Sequence, residues 1–321
     1  MSSSKVARRK ESSSVASKAE AFEQSLRGGG DAPDGFVQNN PKLASMLRLM
    51  SHLFDGHDTK SFEGDNDRQV DVAPEKIGRF IIKQKLGAGG FGTVYLADDE
   101  VLHRQVAVKV IRPVETDGNT RHWLEEARVI ARLSHPNLVP LYEVVEDGAL
   151  LGFVSEYCDG PTLAQWIQSH PSPIDVHAAA SLVEKLADGV AYVHLKGLVH
   201  RDIKPSNVLL DVGNAQGDEP IIIPRLTDFG LAREAKHPDV ESSPASWAGT
   251  LQYVAPEQFL RTEYVDGPGV DIYGLGVLLY RLLTGQLPHV EEDPVKLVTG
   301  ICETPPLPLR SLRRDIPRDL E

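Results

Sequence analysis

Cysteine is scarce in this sequence. Among 321 residues there are two, Cys158 and Cys302, which lie in unrelated segments and form no C-x-x-C pair. Disulfide-stapled domains and zinc knuckles both depend on several suitably spaced cysteines, so neither kind of structure is predicted. The scarcity fits a reducing compartment, and we expect a cytoplasmic location.

Long apolar runs are also missing. No stretch of roughly 18 consecutive apolar residues occurs, so no segment of this sequence is predicted to span a membrane. The Ser-rich N-terminus carries four basic residues between Lys5 and Lys10 with no apolar run behind them. This pattern predicts no signal peptide.

Net positive charge is absent as well. The 34 Lys and Arg residues are outnumbered by 46 Asp and Glu residues, which gives a formal charge of −12 at pH 7. Binding to a nucleic-acid backbone needs a basic face, so we do not expect nucleic acid as the main partner. The sequence does contain 41% hydrophobic residues, enough to build a sizeable core.

The first part of the chain differs in composition from the rest. Residues 1–77 are rich in Ser, Gly and charge, which predicts a disordered N-terminal extension. Apolar residues recur at helical spacing from Leu43 to Phe54, so a short helix is predicted near 41–54. Two interpretations of this helix stay open: it docks on the folded domain, or it binds a partner.

The order of periodic patterns after this extension predicts an α+β fold. Short β-branched runs come first and predict strands. The predicted strands are Phe80–Ile82, Val94–Leu96 and Val106–Val110, followed later by another pair of strands that ends near Tyr157. Helical periodicity is prominent later in the chain. The predicted helices are Trp123–Leu133, Leu163–Ser169, Ala178–Leu195 and Ile272–Thr284.

A glycine-rich segment, Gly87–Gly92, has the spacing G-x-G-x-x-G. This spacing alone is a weak signal, because dinucleotide-binding folds also use it, between a strand and a helix. Here the strand-like residues Thr93–Leu96 follow, which predicts a β-hairpin whose glycine N–H groups can approach phosphate oxygens. The alternative is a plain glycine-rich turn.

Polar residues at fixed offsets occur in a second region. Asp202, Lys204 and Asn207 lie within one short segment, and Asp228-Phe229-Gly230 adds another acid downstream. The pattern H-R-D-x-K-x-x-N followed by D-F-G resembles the catalytic core of the eukaryotic-type (Hanks-type) serine/threonine protein kinase family, including its bacterial members.

This resemblance covers residues from near 80 to the end of the chain. It implies a two-lobed kinase fold over residues 78–321, with a β-rich N-lobe at 78–157 and an α-rich C-lobe at 158–321. The family's last helices have no counterpart here, so we expect the C-lobe to be incomplete and Glu257 to lack the family's arginine partner. The resemblance further implies ATP, Mg and protein substrates, and it is compatible with dimerisation for autophosphorylation.

The resemblance also implies chemical roles for the residues of the second region. Asp202 is the catalytic acid, which accepts or orients the proton of the acceptor hydroxyl. Lys204 accompanies specificity for serine and threonine acceptors. Asn207 and Asp228 are the implied magnesium ligands, and oxygen donors of this kind suit that ion.

Lys109 has an implied role in binding the phosphates. It lies on the predicted strand Val106–Val110, on the same face as Ala107. The family pairs this lysine with a glutamate of the following helix. Glu126 matches that partner, and the adjacent Glu125 points about 100° away around the helix, into solvent.

The residues implied to contact ATP come from the hairpin, two strands and the segment that joins the lobes. They are Leu86, Gly87, Ala88, Gly89, Gly90, Phe91, Gly92, Val94, Ala107, Lys109, Glu156, Cys158 and Leu209. The backbone of Glu156 and Cys158 would hydrogen-bond to adenine. The small Ser155 would leave the back of the pocket open.

The segment between Asp228 and Glu257 resembles an activation loop. Ser246 is nearest to the family's phosphorylated position, Thr250 is implied in acceptor recognition, and Arg201 would receive the phosphate. The residues implied to pack or anchor the site are His200, Phe229 and Asp271.

Three other functions stay open: a nucleotide-binding pseudokinase scaffold, a kinase of small molecules, and an inactive fragment of a longer kinase. Pseudokinases usually lack the counterparts of Lys109, Asp202 or Asp228, whereas all three are present. The segment from Gly249 to Glu257 favours protein substrates. The leading expectation is a protein serine/threonine kinase controlled by phosphorylation of its activation loop.

Overall fold

The computed structural model describes residues 74–89, 92–111, 120–148, 150–171, 173–213, 221–229, 251–260, 267–291 and 293–321. The helix predicted near 41–54 lies outside these ranges. The described residues belong to two compact units, one within Ser61–Ser242 and one within Ser243–Glu321. No helix in the described part of the chain is long and apolar enough to cross a lipid bilayer.

A six-stranded antiparallel sheet begins the first unit. Its strands are β1 (Lys76–Ile77), β2 (Phe80–Gly89), β3 (Gly92–Asp99), β4 (Arg104–Ile111), β5 (Leu141–Asp147) and β6 (Leu150–Glu156), in the order β1-β2-β3-β4-β6-β5. The first three predicted strands are present, and each is longer than predicted because polar residues extend the backbone ladder. The predicted pair of strands ending near Tyr157 is confirmed as β5 and β6. Strand β1 is too short to predict and lies before residue 78, where the sequence begins to resemble a kinase domain.

Alternation along β4 separates a core face from a second face. Val106, Val108 and Val110 are buried, whereas Ala107 and Lys109 are half-buried on the opposite face. The β-branched side chains at every second position pack into the sheet's core. The buried members of that core are Ile77, Phe80, Tyr95, Ala97, Val106, Val108, Val110 and Val154. The face of Ala107 and Lys109 is therefore the one left for a ligand.

The sheet curls so that the turn between β1 and β2 reaches β5, the strand at the other edge. Arg79 in that turn donates to both carboxylate oxygens of Asp99 at 3.2 Å and to the carboxylate of Glu143 on β5. The N–H of Gly78 donates to Asp147 at 2.8 Å. These contacts tie the turn that follows β1, one edge strand of the sheet, to β5, the other edge strand.

Helix α1 (Thr120–Ile130) follows β4. Its buried Ala127 packs with Leu151 and Phe153 of β6 in a second cluster. The predicted end of this helix at Leu133 is wrong. The N–H groups of residues 132 and 133 already bond to the carbonyls three residues earlier, which tightens the chain into a turn before the His135-Pro136-Asn137 break.

The described residues in the rest of the first unit include two α-helices, a short 3₁₀-helix at Pro205–Asn207 and a hairpin. Helix α2 (Leu163–Ser169) is confirmed as predicted and starts with a capping box between Thr162 and Gln165. Helix α3 (Val176–Leu195) starts two residues earlier than predicted, because the Asp175 side chain accepts hydrogen bonds from the first N–H groups. Strands β7 (Val208–Gly213) and β8 (Ile221–Leu226) form an antiparallel pair.

The second unit is helical. Its helices within the described residues are α4 (Pro256–Leu260), α5 (Gly269–Thr284), α6 (Pro294–Glu303) and α7 (Leu309–Leu312). The helix predicted at Ile272–Thr284 is confirmed as α5, which starts three residues earlier. It ends at Gly285, whose φ of 74° is the left-handed conformation that glycine adopts without strain. Arg281 of α5 donates to the Tyr253 hydroxyl at 2.8 Å.

Candidate active site

The glycine-rich segment lies at the end of the β2–β3 hairpin. Gly87 pairs with Val94, Ala88 with Thr93, and Gly89 with Gly92. A strand therefore follows the glycines, as predicted, and the strand-to-helix arrangement of a dinucleotide-binding fold is excluded. Gly90 and Phe91 lie outside the described residues. Leu86 lies on β2, with 40% of its surface exposed.

Gly92 is the position in this hairpin where only glycine fits. Its φ is +122°, a conformation that residues with side chains rarely adopt. A Cβ at this position would also collide with the carbonyl oxygen of Val110 on β4. The missing side chain thus lets the hairpin lie directly against the strand that carries Lys109.

Lys109 is placed next to the acid of the Asp-Phe-Gly motif. On β4 it lies opposite Val94 of β3 and Phe153 of β6, on the half-buried face of the sheet. Its Nζ is 2.8 Å from Oδ1 of Asp228. These two residues are separated by 119 positions in the sequence, so the fold itself brings them together.

Glu126 lies on α1 and is half-buried, whereas its neighbour Glu125 is exposed. The direction predicted for each acid is therefore observed. The pairing of Glu126 with Lys109 stays a prediction.

The loop before β7 gathers two polar side chains around one carboxylate oxygen of a third residue, Asp202. Oδ2 of Asp202 accepts from Nζ of Lys204 at 2.8 Å and from Nδ2 of Asn207 at 2.9 Å. Nδ2 of Asn207 also donates to the Asp202 carbonyl oxygen at 2.8 Å. Because the amide nitrogen of buried Asn207 is turned to these acceptors, its Oδ1 is the atom suited to a cation.

A buried histidine ties this loop to the segment of Asp228. Nε2 of His200 lies 3.1 Å from the Thr227 carbonyl, and Nδ1 lies 3.4 Å from the Asp202 N–H. Nε2 must then carry the proton and Nδ1 accept, which is the neutral tautomer. The ring of His200 also packs on the ring of buried Phe229, with 4.8 Å between the ring centroids. Both side chains have the packing positions that the resemblance implies.

Two backbone positions near the predicted metal ligands have left-handed φ angles. They are Arg201 at 68° and Asp228 at 58°. Such angles cost energy for residues other than glycine and are often found at functional sites. The angle at Arg201 turns the chain just before Asp202, and the angle at Asp228 turns it just before Phe229.

The residues predicted around adenine lie on β3, β4, β6 and β7 and, for Cys158, in the segment that follows β6. Sheet register places Val94, Ala107 and Lys109 on one face, with Ser155 opposite Ala107. The Glu156 N–H donates to the Pro140 carbonyl at 3.1 Å, at the end of β6. Cys158 is buried, and burial raises the pKa of its thiol to about 11. Leu209 is half-buried on β7, and its contact with adenine stays a prediction.

One charged residue near this segment is absent from the sequence-based predictions. Arg225 on β8 forms ion pairs with Glu156 at 3.0 Å and with Asp211 at 3.1 Å. A signal was available in the sequence: Arg225 is the charged residue in an otherwise apolar strand, three positions before Asp228.

The remaining predicted residues are only partly described. Ser246 and Thr250 lie outside the described residues. Asp271 is buried within α5, and its anchoring of the catalytic loop stays a prediction. Glu257 is half-buried on α4.

Asn207 and Asp228 fit a magnesium site by their chemistry. An amide oxygen and a carboxylate are hard donors, and Mg²⁺ typically takes one or two such protein ligands together with water and phosphate oxygens. The described residues contain no cluster of three or more His, Cys, Asp or Glu side chains that could hold a metal by itself. A site completed by a phosphate-bearing ligand agrees with both observations.

Comparison with known proteins gives a consistent result. The model of the protein kinase domain family matches residues 80–310. The chain is 34% identical over 226 residues to the serine/threonine-protein kinase PrkC of Bacillus subtilis. The aligned region covers 68% of this chain and 32% of PrkC. The chain is 33% identical over 254 residues to the serine/threonine-protein kinase PknB of Mycobacterium leprae, which covers 77% of this chain and 39% of PknB.

A third relative is the serine/threonine-protein kinase pkn2 of Myxococcus xanthus, 35% identical over 246 residues, covering 74% of this chain and 28% of that protein. The chain thus spans between 28% and 39% of the length of these three relatives. The matched region contains the hairpin, Lys109, the Asp202 loop and Asp228. The chain belongs to the protein kinase family, with its two-lobed α+β fold, and is similar to bacterial serine/threonine members.

Proposed function

We propose that the chain transfers the γ-phosphoryl group of ATP to serine and threonine hydroxyls of proteins. The observation that carries this proposal is the arrangement around Asp202, with Lys204 and Asn207 on one carboxylate oxygen. Two fixed donors hold the carboxylate in one orientation. An acid held in this way can orient an acceptor hydroxyl and take its proton as transfer proceeds.

Lys109 and Lys204 supply positive charge from two sides of the site. Lys109, beside Asp228, would bind the α- and β-phosphates and, with Glu126, be kept on the open face of β4. Lys204, beside Asp202, would offset the charge that develops on the transferred group. Its position next to the acid also supports specificity for serine and threonine acceptors.

The hairpin and the metal ligands would position the triphosphate. Gly87, Gly89 and Gly92 offer backbone N–H groups without side chains in the way. Asn207 and Asp228 would hold Mg²⁺, which bridges phosphate oxygens and neutralises their charge when bound. Fixing the phosphates for in-line attack accounts for much of the catalysis in this reaction class.

The proposal includes control by phosphorylation. Arg201 directly precedes Asp202, so a phosphate on Ser246 could pair with Arg201 and order the segment before Thr250. Phosphorylation between two copies of the chain would deliver that phosphate. A cytoplasmic location remains part of the proposal.

The deciding experiment is transfer of labelled phosphate from Mg-ATP to a generic basic substrate protein. The wild type should label the substrate on Ser or Thr, and Lys109→Met should not, while keeping its fold by circular dichroism. A folded wild type that binds ATP and labels no protein would support the scaffold alternative. Labelling of a small-molecule acceptor alone would also contradict the proposal.

A further inference from the structure

Arg225 connects the segment that joins β6 to α2 with the β7–β8 hairpin. Its Nη1 is 3.0 Å from Oε2 of Glu156, and its Nη2 is 3.1 Å from Oδ2 of Asp211. The Arg225 side chain is 18% exposed, and the Glu156 side chain is 34% exposed. Pairs shielded to this degree couple more strongly than fully exposed ones, which contribute little.

The same guanidinium lies beside Cys158. Burial raises the pKa of the Cys158 thiol to about 11, and the positive charge of Arg225 opposes that increase. Arg225 therefore faces both residues whose backbone groups are predicted to hydrogen-bond to adenine, Glu156 and Cys158.

Backbone contacts fix the chain on both sides of this pair of residues. Upstream, the Glu156 N–H is bonded to the Pro140 carbonyl. Downstream, the Leu210 N–H donates to the Pro161 carbonyl at 3.0 Å, and a Cβ at Gly160 would collide with the Leu210 carbonyl oxygen. Residues 160–162 are thus fastened to β7, and the Arg225 ion pair acts on the stretch between the two fixed ends.

We propose that Arg225 is a positioning residue for adenine, because its pair with Glu156 holds residues 156–158 at the distance from the β7–β8 hairpin that the base requires. The inference rests on the proposed function, since it presupposes that ATP binds at these residues. Among the described residues, the ion pairs of Arg225 are with Glu156 and Asp211 and not with the predicted metal ligands. Its effect should fall on recognition of the base and not on phosphoryl transfer.

The test compares Arg225→Met with the wild type in binding to adenosine and to Mg-ATP, by calorimetry, and in steady-state kinetics. Loss of a shielded charged hydrogen bond predicts that both dissociation constants rise by the same factor, about 3- to 10-fold. The value of kcat should change by less than about twofold. Arg225→Lys keeps the charge and should recover part of the affinity.

Three variants control for other effects. Glu156→Gln should weaken adenosine binding as Arg225→Met does, and the double variant should be no weaker than either, because both remove the same contact. Asp211→Asn removes the partner on the hairpin and should leave adenosine affinity unchanged, although it lowers the melting temperature. Lys109→Met should weaken ATP binding and spare adenosine.

Each contrary outcome is distinct. Wild-type adenosine affinity in Arg225→Met would overturn the inference, and so would equal weakening by Asp211→Asn, which would indicate a general loss of hairpin stability. If the wild type binds adenosine, and Arg225→Met weakens it, yet no phosphate is transferred, the proposed function fails and this inference stands. If the wild type binds neither adenosine nor ATP, both fail.

Discussion

The Asp202 carboxylate is held in one orientation by its neighbours in the same loop. Its Oδ2 accepts hydrogen bonds from both Lys204 and Asn207. The carboxylate group therefore cannot rotate or exchange its two oxygens without breaking a charged hydrogen bond. The neighbouring left-handed angle at Arg201 turns the chain so that these contacts form within six residues. The geometry is local, and for that reason the sequence motif alone identifies it.

Asp202→Asn is expected to reduce kcat by roughly 10²- to 10⁴-fold, because the amide cannot take the hydroxyl proton. ATP affinity should be nearly unchanged, since the proposed role of Asp202 is to act on the acceptor. Steady-state kinetics and calorimetric ATP binding measure the two effects. The matched control is Asp188→Asn on the exposed face of α3, which should behave as wild type. A collapse of ATP affinity in Asp202→Asn would instead make Asp202 a structural residue.

Gly92 has a backbone conformation that residues with a side chain rarely adopt. In Gly92→Ala, a residue with a side chain would have to adopt a backbone φ of +122°. Its Cβ would also collide with the Val110 carbonyl oxygen. Strain of this kind costs about 1–3 kcal/mol, so the melting temperature should fall. Gly87→Ala is the control, because a Cβ there meets nothing within 4 Å. Equal melting temperatures for the two variants would contradict the close approach of β3 to β4.

A cluster of charged contacts joins strands of the sheet. Asp99 has no exposed side-chain surface and accepts from Arg79, with Arg104 3.6 Å away. Arg79 in turn reaches Glu143 on β5. The curl of the sheet therefore depends on a carboxylate that must stay ionised. The hydrogen bond from Arg79 lowers the pKa of Asp99, and it outweighs the opposite effect of burial.

This lowered pKa predicts a pH dependence of stability with a definite sign. A carboxyl whose folded pKa is depressed stabilises the fold above its unfolded pKa and loses that contribution as the pH falls through the folded value. Asp99→Asn should thus be less stable than wild type at pH 7, and the difference should shrink below about pH 4.

Urea unfolding from pH 3 to pH 7 measures this difference. Asp98→Asn is the control, because its pair with Lys83 at 2.8 Å is well exposed, with 48% of the lysine side chain accessible, and should contribute little. A gap between Asp99→Asn and wild type that stays constant across the pH range would show that Asp99 contributes through packing alone.

At the scale of the molecule, sequence patterns predict the parts of the site that are local. Short motifs hold Asp202, Lys204 and Asn207 together, and alternation on β4 correctly places Ala107 and Lys109 on the same face. Helix ends were harder to predict, because they depend on caps such as Asp175 and on tight turns such as that after Ile130.

Contacts between residues far apart in the sequence could be predicted only in part. The family resemblance implies a pair between Lys109 and Glu126, but neither the ion pair of Lys109 with Asp228 nor that of Arg225 with Glu156 was predicted. Strand pairing between β7 and β8 and the path of residues 156–162 create that contact, and neither can be derived from local periodicity. Tertiary structure therefore adds most at the boundary of the predicted adenine site.

The last prediction concerns the linkage of nucleotide binding to unfolding. All residues with a predicted ATP or metal contact lie between Leu86 and Asp228, inside the first compact unit. A ligand that binds only the folded state stabilises it by about 2.7 kcal/mol at 100 times its dissociation constant, which corresponds to roughly 5–10 °C in a domain of this size. Mg-ADP should therefore raise the melting temperature of the wild type, and omission of Mg²⁺ should reduce the shift.

Asp228→Asn distinguishes the metal from the base in this experiment. The variant loses a predicted magnesium ligand and the ion pair with Lys109, so its own melting temperature changes and only ligand-induced shifts are compared. Adenosine should shift the variant as much as the wild type, whereas the additional shift from Mg²⁺ with ADP should disappear. If Mg²⁺ enhances the ADP shift equally in both proteins, the metal binds elsewhere. Asp228 would then serve mainly as the partner that holds Lys109 on the open face of the sheet.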